Sequence, residues 1–202
     1  MKPLVVAVTG ASAMPLAERA LQLLLKKGFS INLILSKGAY EVFLSENNLK
    51  VPLEPITQRN FWEERLKINA KNLNCYRWSD HSANIASGSF KTLGMIVIPC
   101  SMGTLGRIAA GFSNNLIERT ADVHLKERRP LILVPRESPL SLIHLKNMTN
   151  VSEAGAIICP PVPAWYTSPK NLEEMIDFIV IRIFDLLGED LAPLKRWSAP
   201  NK

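Results

Sequence analysis

Residues Leu4 to Thr9 read Leu-Val-Val-Ala-Val-Thr and pass directly into Gly10-Ala11-Ser12. A short apolar run closed by a turn signal is a strand buried on both faces, not one with a wet side. The helical repeat that follows runs through Leu16, Ala20, Leu23 and Leu24, and after Gly28 a second strand spans Ile31 to Leu35. Strand, tight turn, helix, strand is how a parallel α/β sheet begins.

The pattern resumes after a polar interval. Ser45 to Ser89 contains Pro52 and Pro55 and predicts a short helix, loops and one strand near Cys75 to Trp78. Gly94 to Pro99 suits a central parallel strand. Thr104 to Arg129 reads as helical, Leu131 to Val134 as a strand before Pro135, Leu140 to Met148 as a helix, and Ala156 to Cys159 as a strand. Ser168-Pro169 has the form of an N-cap followed by a proline at the first helical position, and Gly188 that of a helix stop. No repeat or linker intervenes. The expected fold is a single α/β domain over residues 1–188, an open parallel sheet with helices on both faces, followed by a tail at 189–202.

A chain of 202 residues buries roughly 70% of its unfolded surface without disulfide staples. With 21% charged and 47% hydrophobic residues, disordered and low-complexity classes are excluded. No apolar run approaches the roughly 20 residues that span a bilayer, so no membrane span is expected. Lys2, the run Pro3 to Val8 and Ala11-Ser12-Ala13 imitate a secretion signal, but the core is too short and Thr9-Gly10 interrupts it. Cys75, Cys100 and Cys159 form no CxxC pair and leave one cysteine over in any disulfide scheme, so a cytoplasmic location is expected. The net charge of +6 invites a nucleic-acid partner. Its basic residues are scattered, apart from Lys126, Arg128 and Arg129, and no aromatics alternate with them. Small phosphorylated ligands suit this excess better than a polymer.

Ligands of open parallel sheets sit at the carboxyl ends of strands, beside helix N-termini. Four such ends carry suggestive residues. Thr9-Gly10-Ala11-Ser12 offers close backbone approach and a hydroxyl, although a plain strand-to-helix turn explains it equally well. Ser36-Lys37-Gly38 is equally compatible with a simple N-cap. Pro99 to Leu105 ends a strand in a hydroxyl-rich turn; within it Cys100 is better read as a core filler than as a nucleophile. Arg136-Glu137 is fixed between Pro135 and Pro139, the alternative being a solvated turn with a surface ion pair.

Asn115, Arg119, Asp122 and Lys126 follow i, i+4, i+7 and i+11, which places them on one helix face. Taken alone this is a salt-bridged solvent stripe; facing the strand ends, its two cations would clamp a phosphate. His81, His124 and His144 have no ligand spacing, so no metal site is expected, and no nucleophile elbow supports hydrolase chemistry. The last helix, from Met175 to Leu187, is apolar almost all round, which predicts burial against further copies of the chain. Arg182 lies inside that band and would need an anionic partner.

Taken together, Gly10-Ala11-Ser12, Pro99 to Leu105, Asn115 to Arg119, Ala121-Asp122-Val123, Leu125 to Leu131, Arg136 to Pro139, Ile143-His144-Leu145 and Pro163 to Tyr166 resemble the UbiX-like flavin prenyltransferases. The resemblance runs from Val5 to about Trp197, and the Leu125–Leu131 and Arg136–Pro139 stretches are its most specific parts. It implies a three-layer α/β/α Rossmann-like (flavodoxin-like) fold that binds flavin. It also implies transfer of a dimethylallyl group from dimethylallyl phosphate to N5 and C6 of reduced FMN, without a metal. Prenylated FMN would then serve a UbiD-type decarboxylase, and the chain would form a homo-oligomer, a dodecamer with flavin sites at subunit junctions.

By motif position, Gly10, Ala11, Ser12, Ser36, Ser101, Met102, Gly103, Thr104 and Arg136 would contact FMN. Tyr166 and Arg182 would hold the prenyl phosphate, with Arg119 and Lys126 nearby. Ser12, Glu46 and Glu137 would handle protons. Ala13 replaces the glycine usual after the Gly-Ala-Ser triplet, while Ser138 and Trp165 are milder departures, and nothing is carried over to residues 51–83. The alternatives are an FMN-dependent cysteine-type decarboxylase, whose Pro-x-Met-Asn signature is missing from the Pro135–Pro139 region, and a non-catalytic flavin-binding protein.

Overall fold

The structure is a computed structural model that describes residues 2–188; the expected tail at 189–202 lies outside the described residues. Six strands alternate with helices: β1 (Leu4–Val8), α1 (Met14–Lys26), β2 (Ile31–Leu35), α2 (Lys37–Asn47), α3 (Pro55–Leu66), β3 (Leu73–Arg77), β4 (Gly94–Cys100), α4 (Met102–Ala109), α5 (Leu116–Lys126), β5 (Leu131–Pro135), α6 (Leu142–Glu153), β6 (Ile157–Ile158) and α7 (Leu172–Asp185). All strand pairs are parallel, in the order β3-β2-β1-β4-β5-β6. The chain turns to one side after β1 and to the other from β4 onward. That reversal opens a crevice at the carboxyl ends of β1 and β4, where such sheets take ligands.

The pleat divides the core into two layers. Leu4, Val6 and Val8 face α1, α2, α3 and α7, with Phe43, Trp62 and Phe184 among the buried side chains. Val5 and Ala7 face the other way, toward Met102, Leu105, Ile117 and Ala121 of α4 and α5. With both faces covered, β1, β2, β4 and β5 are buried at every position. This is the three-layer α/β/α sheet expected.

One expectation needs correction, the Ser168 cap, and two are made more specific. The stretch from Thr104 to Arg129 is two helices: Gly111 (φ 74°) follows the first, and Asn115 caps the second by accepting the Glu118 N–H at 3.0 Å. The last helix is capped by Asn171, not Ser168; Ser168 sits in a loop at φ 54°. Within one subunit α7 buries only a stripe, with Val180, Ile181, Ile183 and Phe184 inside, and Arg182 leaves 51% of its side chain exposed, 3.6 Å from Asp185. The expected burial of Arg182 therefore does not hold within the subunit. Met175, Ile176, Phe178 and Ile179 are apolar yet only half-buried, as a helix expected to pack against further copies leaves them within one subunit. Among the described residues no helix is long and apolar enough to cross a membrane.

Candidate active site

Thr9 ties the crevice together. Its buried hydroxyl donates to the Pro99 carbonyl at 2.9 Å and accepts the Ser101 N–H at 2.7 Å, joining the ends of β1 and β4. The Arg136 N–H donates to the Cys100 carbonyl at 3.2 Å, which adds β5 to the same edge. On the other side Gly10 meets Gly38: a Cβ on Gly10 would lie 3.0 Å from the Gly38 backbone, so two turns touch where neither residue has a side chain. Ala13, which caps α1 without a side-chain hydrogen bond, holds φ 90° and ψ 36°. The turn thus keeps a glycine-like conformation although the residue is alanine.

Two helix N-termini open onto this edge. Ser36 caps α2 by accepting the Ala39 N–H at 3.1 Å, and Ser101 caps α4 by accepting the Thr104 N–H at 3.3 Å. Their remaining free N–H groups favour an anion or a carbonyl-rich ligand. Ser101 Oγ also donates to Thr104 Oγ1 at 3.1 Å, and Arg107 Nη2 donates to that oxygen at 3.3 Å. Arg107 is held in turn by Glu118, whose carboxylate is fully buried. Ser12 Oγ donates to Glu46 Oε2 at 3.0 Å, so two of the three residues expected to handle protons meet. Glu137 is exposed and accepts the Ser138 N–H at 3.0 Å; Arg136 and Gly103 are exposed as well. The edge is an open shelf of N–H groups, hydroxyls and one arginine, a donor set suited to the ribityl phosphate and ring carbonyls of FMN.

Cys100 is completely buried, and desolvation pushes its thiol up to about 12. It is a core residue beneath the shelf and not a nucleophile. His124 is buried between Thr92 Oγ1 at 2.8 Å and the Thr120 carbonyl at 2.7 Å, while His144 completes the capping box of α6 with Ser141. Among the described residues no group of three His, Cys, Asp or Glu side chains gathers as a metal site.

Four further expected site residues make contacts of their own within the subunit. Arg119 donates to the Ala86 carbonyl at 3.1 Å and to Asp122 at 2.9 Å, one turn into α5. Lys126, at the end of α5, lies 3.7 Å from Glu127. It precedes the amino end of β5, whereas Arg136 follows its carboxyl end, so a five-residue strand of about 16 Å separates them. Tyr166 packs edge-on against Phe178 with ring centroids 5.9 Å apart, and Arg182 lies near Cys159, opposing the burial that raises that thiol's pKa. The sequence placed Thr9 and Gly38 in strand-end turns without showing what they touch, and it missed Arg107 and Glu118 as supports of the shelf. Only Asn115-x-x-Glu118 left a signal, as a capping-box spelling, and the structure spends that glutamate on Arg107 instead.

The model of the Flavoprotein family matches residues 1–184. A flavin prenyltransferase UbiX from Synechocystis sp. is 46% identical over 198 residues, 98% of this chain and 96% of that protein. The chain belongs to the UbiX flavin prenyltransferase family. The solved structure of the UbiX protein AnUbiX (PadA1), in complex with FMN and dimethylallyl pyrophosphate, superposes with a TM-score of 0.86 at 40% identity, covering 99% of both chains. A dodecameric FMN-dependent UbiX-like decarboxylase from Escherichia coli O157:H7 gives 0.84 at 37% identity, covering 98% of this chain and 100% of that one. The UbiX resemblance therefore extends through the polar interval at 51–83 that the motifs left blank, where α3 seats Trp62 against Phe43 at 5.6 Å.

Proposed function

We propose that the protein transfers the dimethylallyl group of dimethylallyl phosphate to N5 and C6 of reduced FMN, and that the prenylated FMN is taken up by a UbiD-type decarboxylase. The observation that carries this reading is the junction of the Gly10–Gly38 cradle, the N-termini of α2 and α4, and the Ser12–Glu46 pair on one sheet edge. Reduced FMN supplies the nucleophilic ring positions. Gly10, Ala11, Met102 and Gly103 contribute backbone approach to it, Ser12, Ser36, Ser101 and Thr104 contribute hydroxyls, and Arg136 contributes charge.

Breaking an allylic C–O bond leaves positive charge on the carbon fragment and negative charge on the departing phosphate. Lys126, Arg119, Arg182 and Tyr166 are the donors assigned to that phosphate. Preorganised cations are worth most when aimed at charge that develops in the transition state. Glu46, oriented by Ser12, accepts a proton released on the flavin side, and Glu137 returns one to the phosphate. The exposed Trp165 belongs to an apolar wall that keeps water from the allyl cation.

Lys126 lies at the opposite end of β5 from Arg136, so it reaches a shelf only from a neighbouring copy. A homo-oligomer, in the dodecameric arrangement of the related decarboxylase, supplies that neighbour. The three free cysteines accord with a reducing cytoplasm. The test is anaerobic incubation with reduced FMN and dimethylallyl phosphate, followed by mass measurement of the extracted flavin. Gain of one five-carbon unit is expected; a flavin of unchanged mass under saturating donor overturns the proposal.

A further inference from the structure

Arg107 and Glu118 have no part in the reading above, yet they form a charged strut directly under the shelf. Glu118, in the first turn of α5, has a fully buried side chain that accepts the Asn114 N–H at 2.9 Å and pairs with Arg107 Nε. Burial this complete requires both partners to be in place, so the pair is held as a unit. Arg107 stands late in α4 and reaches back along it, as helical side chains do, to the turn that opens onto the shelf. There its Nη2 donates to Thr104 Oγ1 at 3.3 Å, and its Nη1 lies 3.5 Å from where a Gly103 Cβ would sit.

The hydrogen-bond inventory of Thr104 then decides its role. Its oxygen has two lone pairs, and both are met: one by Arg107, the other by the Ser101 hydroxyl at 3.1 Å. The Thr104 hydroxyl proton is left to serve as a donor. We infer that Arg107, fixed by Glu118, is a positioning residue that fills the acceptor capacity of Thr104 and so turns its hydroxyl into a dedicated hydrogen-bond donor to an oxygen or nitrogen acceptor of the bound flavin. This inference rests on the reading of the shelf as an FMN site. Without the strut, Thr104 can turn its proton inward to Ser101, and the flavin loses an aimed donor.

The test is a double-mutant cycle read by FMN affinity and by the visible absorption spectrum of bound oxidised FMN. Arg107→Met with Glu118→Gln removes both charges together, which avoids stranding a buried carboxylate. The pair is expected to weaken FMN binding about tenfold and to shift the flavin band, as Thr104→Val does. In the Thr104→Val background the same pair is expected to add less than about twofold, because its effect passes through that hydroxyl. Arg107→Lys, which keeps a donor, is expected to recover part of the affinity and the spectrum. Additive losses, or a pair variant with wild-type affinity and spectrum, overturn the inference. A wild-type protein that fails to bind FMN overturns the underlying site reading instead, and the inference falls with it. If the pair variant does not fold, Glu118→Gln alone, which frees Arg107 without leaving a buried carboxylate unpaired, is put through the same cycle with Thr104→Val, and additivity there has the same meaning.

Discussion

Ser12 Oγ donates to Glu46 Oε2 across 3.0 Å, linking the turn after β1 to the last turn of α2, 34 residues later. A hydroxyl donor fixes which way a carboxylate points, and that aim is what a proton acceptor beside a flavin requires. Glu46→Gln keeps the shape and the hydrogen bond but removes the basicity. It is expected to lower the single-turnover prenylation rate by about 10²- to 10⁴-fold while changing FMN affinity less than about threefold. Rapid-quench mass analysis of the flavin measures the first and fluorescence titration the second; an unchanged rate would remove Glu46 from the proton path.

The same turn gives two substitutions of opposite sign. Gly10→Ala forces a Cβ to within 3.0 Å of the Gly38 backbone, which cannot yield as a side-chain tip would. It is expected to destabilise the fold by about 1–3 kcal/mol, as overpacking does. Ala13→Gly relieves a residue held at φ 90°. It is expected to stabilise by up to about 1 kcal/mol, the left-handed penalty minus the added freedom of glycine in the unfolded chain. Urea midpoints measure both, and a stabilising Gly10→Ala would mean that the two turns do not touch.

The sheet was legible because its signal is local and redundant: β1, β4 and β5 are apolar at consecutive positions, and β2 is interrupted only by the buried Asn32. Helix ends were less so. Ser168-Pro169 spells a start as well as Asn171 does, and only the backbone at φ 54° shows that Ser168 caps nothing. The shelf's hydroxyls could be read, since capping serines and anion-binding turns use the same residues. Its support could not. Gly38 against Gly10, Thr9 against Pro99 and Glu118 under Arg107 are contacts between distant segments, which no spacing rule reports. The apparent common face of Asn115, Arg119 and Lys126 follows from helical geometry, but α5 runs the depth of the sheet and carries Lys126 away from the shelf.

His124 makes acid sensitivity testable. Burial lowers its pKa below the usual 6.5, nearby Arg129 adds to the effect, and the hydrogen bond with the Thr120 carbonyl opposes it. The unfolded chain therefore binds this proton at a higher pH than the folded one. Its contribution to stability is intact above the unfolded value and is lost as pH falls through 6.5 toward the folded pKa. Wild-type stability is expected to drop below that point by up to about 1.4 kcal/mol per pH unit more than in His124→Gln. Paired urea titrations compare the slopes and cancel the carboxylates common to both proteins; parallel slopes would mean His124 does not titrate differently on folding.

Arg136 at the carboxyl end of β5 and Lys126 before its amino end cannot serve one shelf from one subunit. If each site draws Arg136 from one copy and Lys126 from another, neither residue can be lost throughout the assembly without loss of turnover. Arg136→Ala and Lys126→Ala are each expected to lower kcat/KM by about 10²-fold or more as uniform assemblies. Mixed assemblies made by co-expression in equal amounts then contain intact sites, because an Arg136→Ala subunit still offers its lysine to a Lys126→Ala neighbour. Random association makes about a quarter of the sites complete, so activity should return to about a quarter of wild type. Recovery requires that the two residues act across a subunit boundary, since no single chain in the mixture carries both. A mixture no more active than its inactive components would place both cations in the same subunit and contradict the separation along β5.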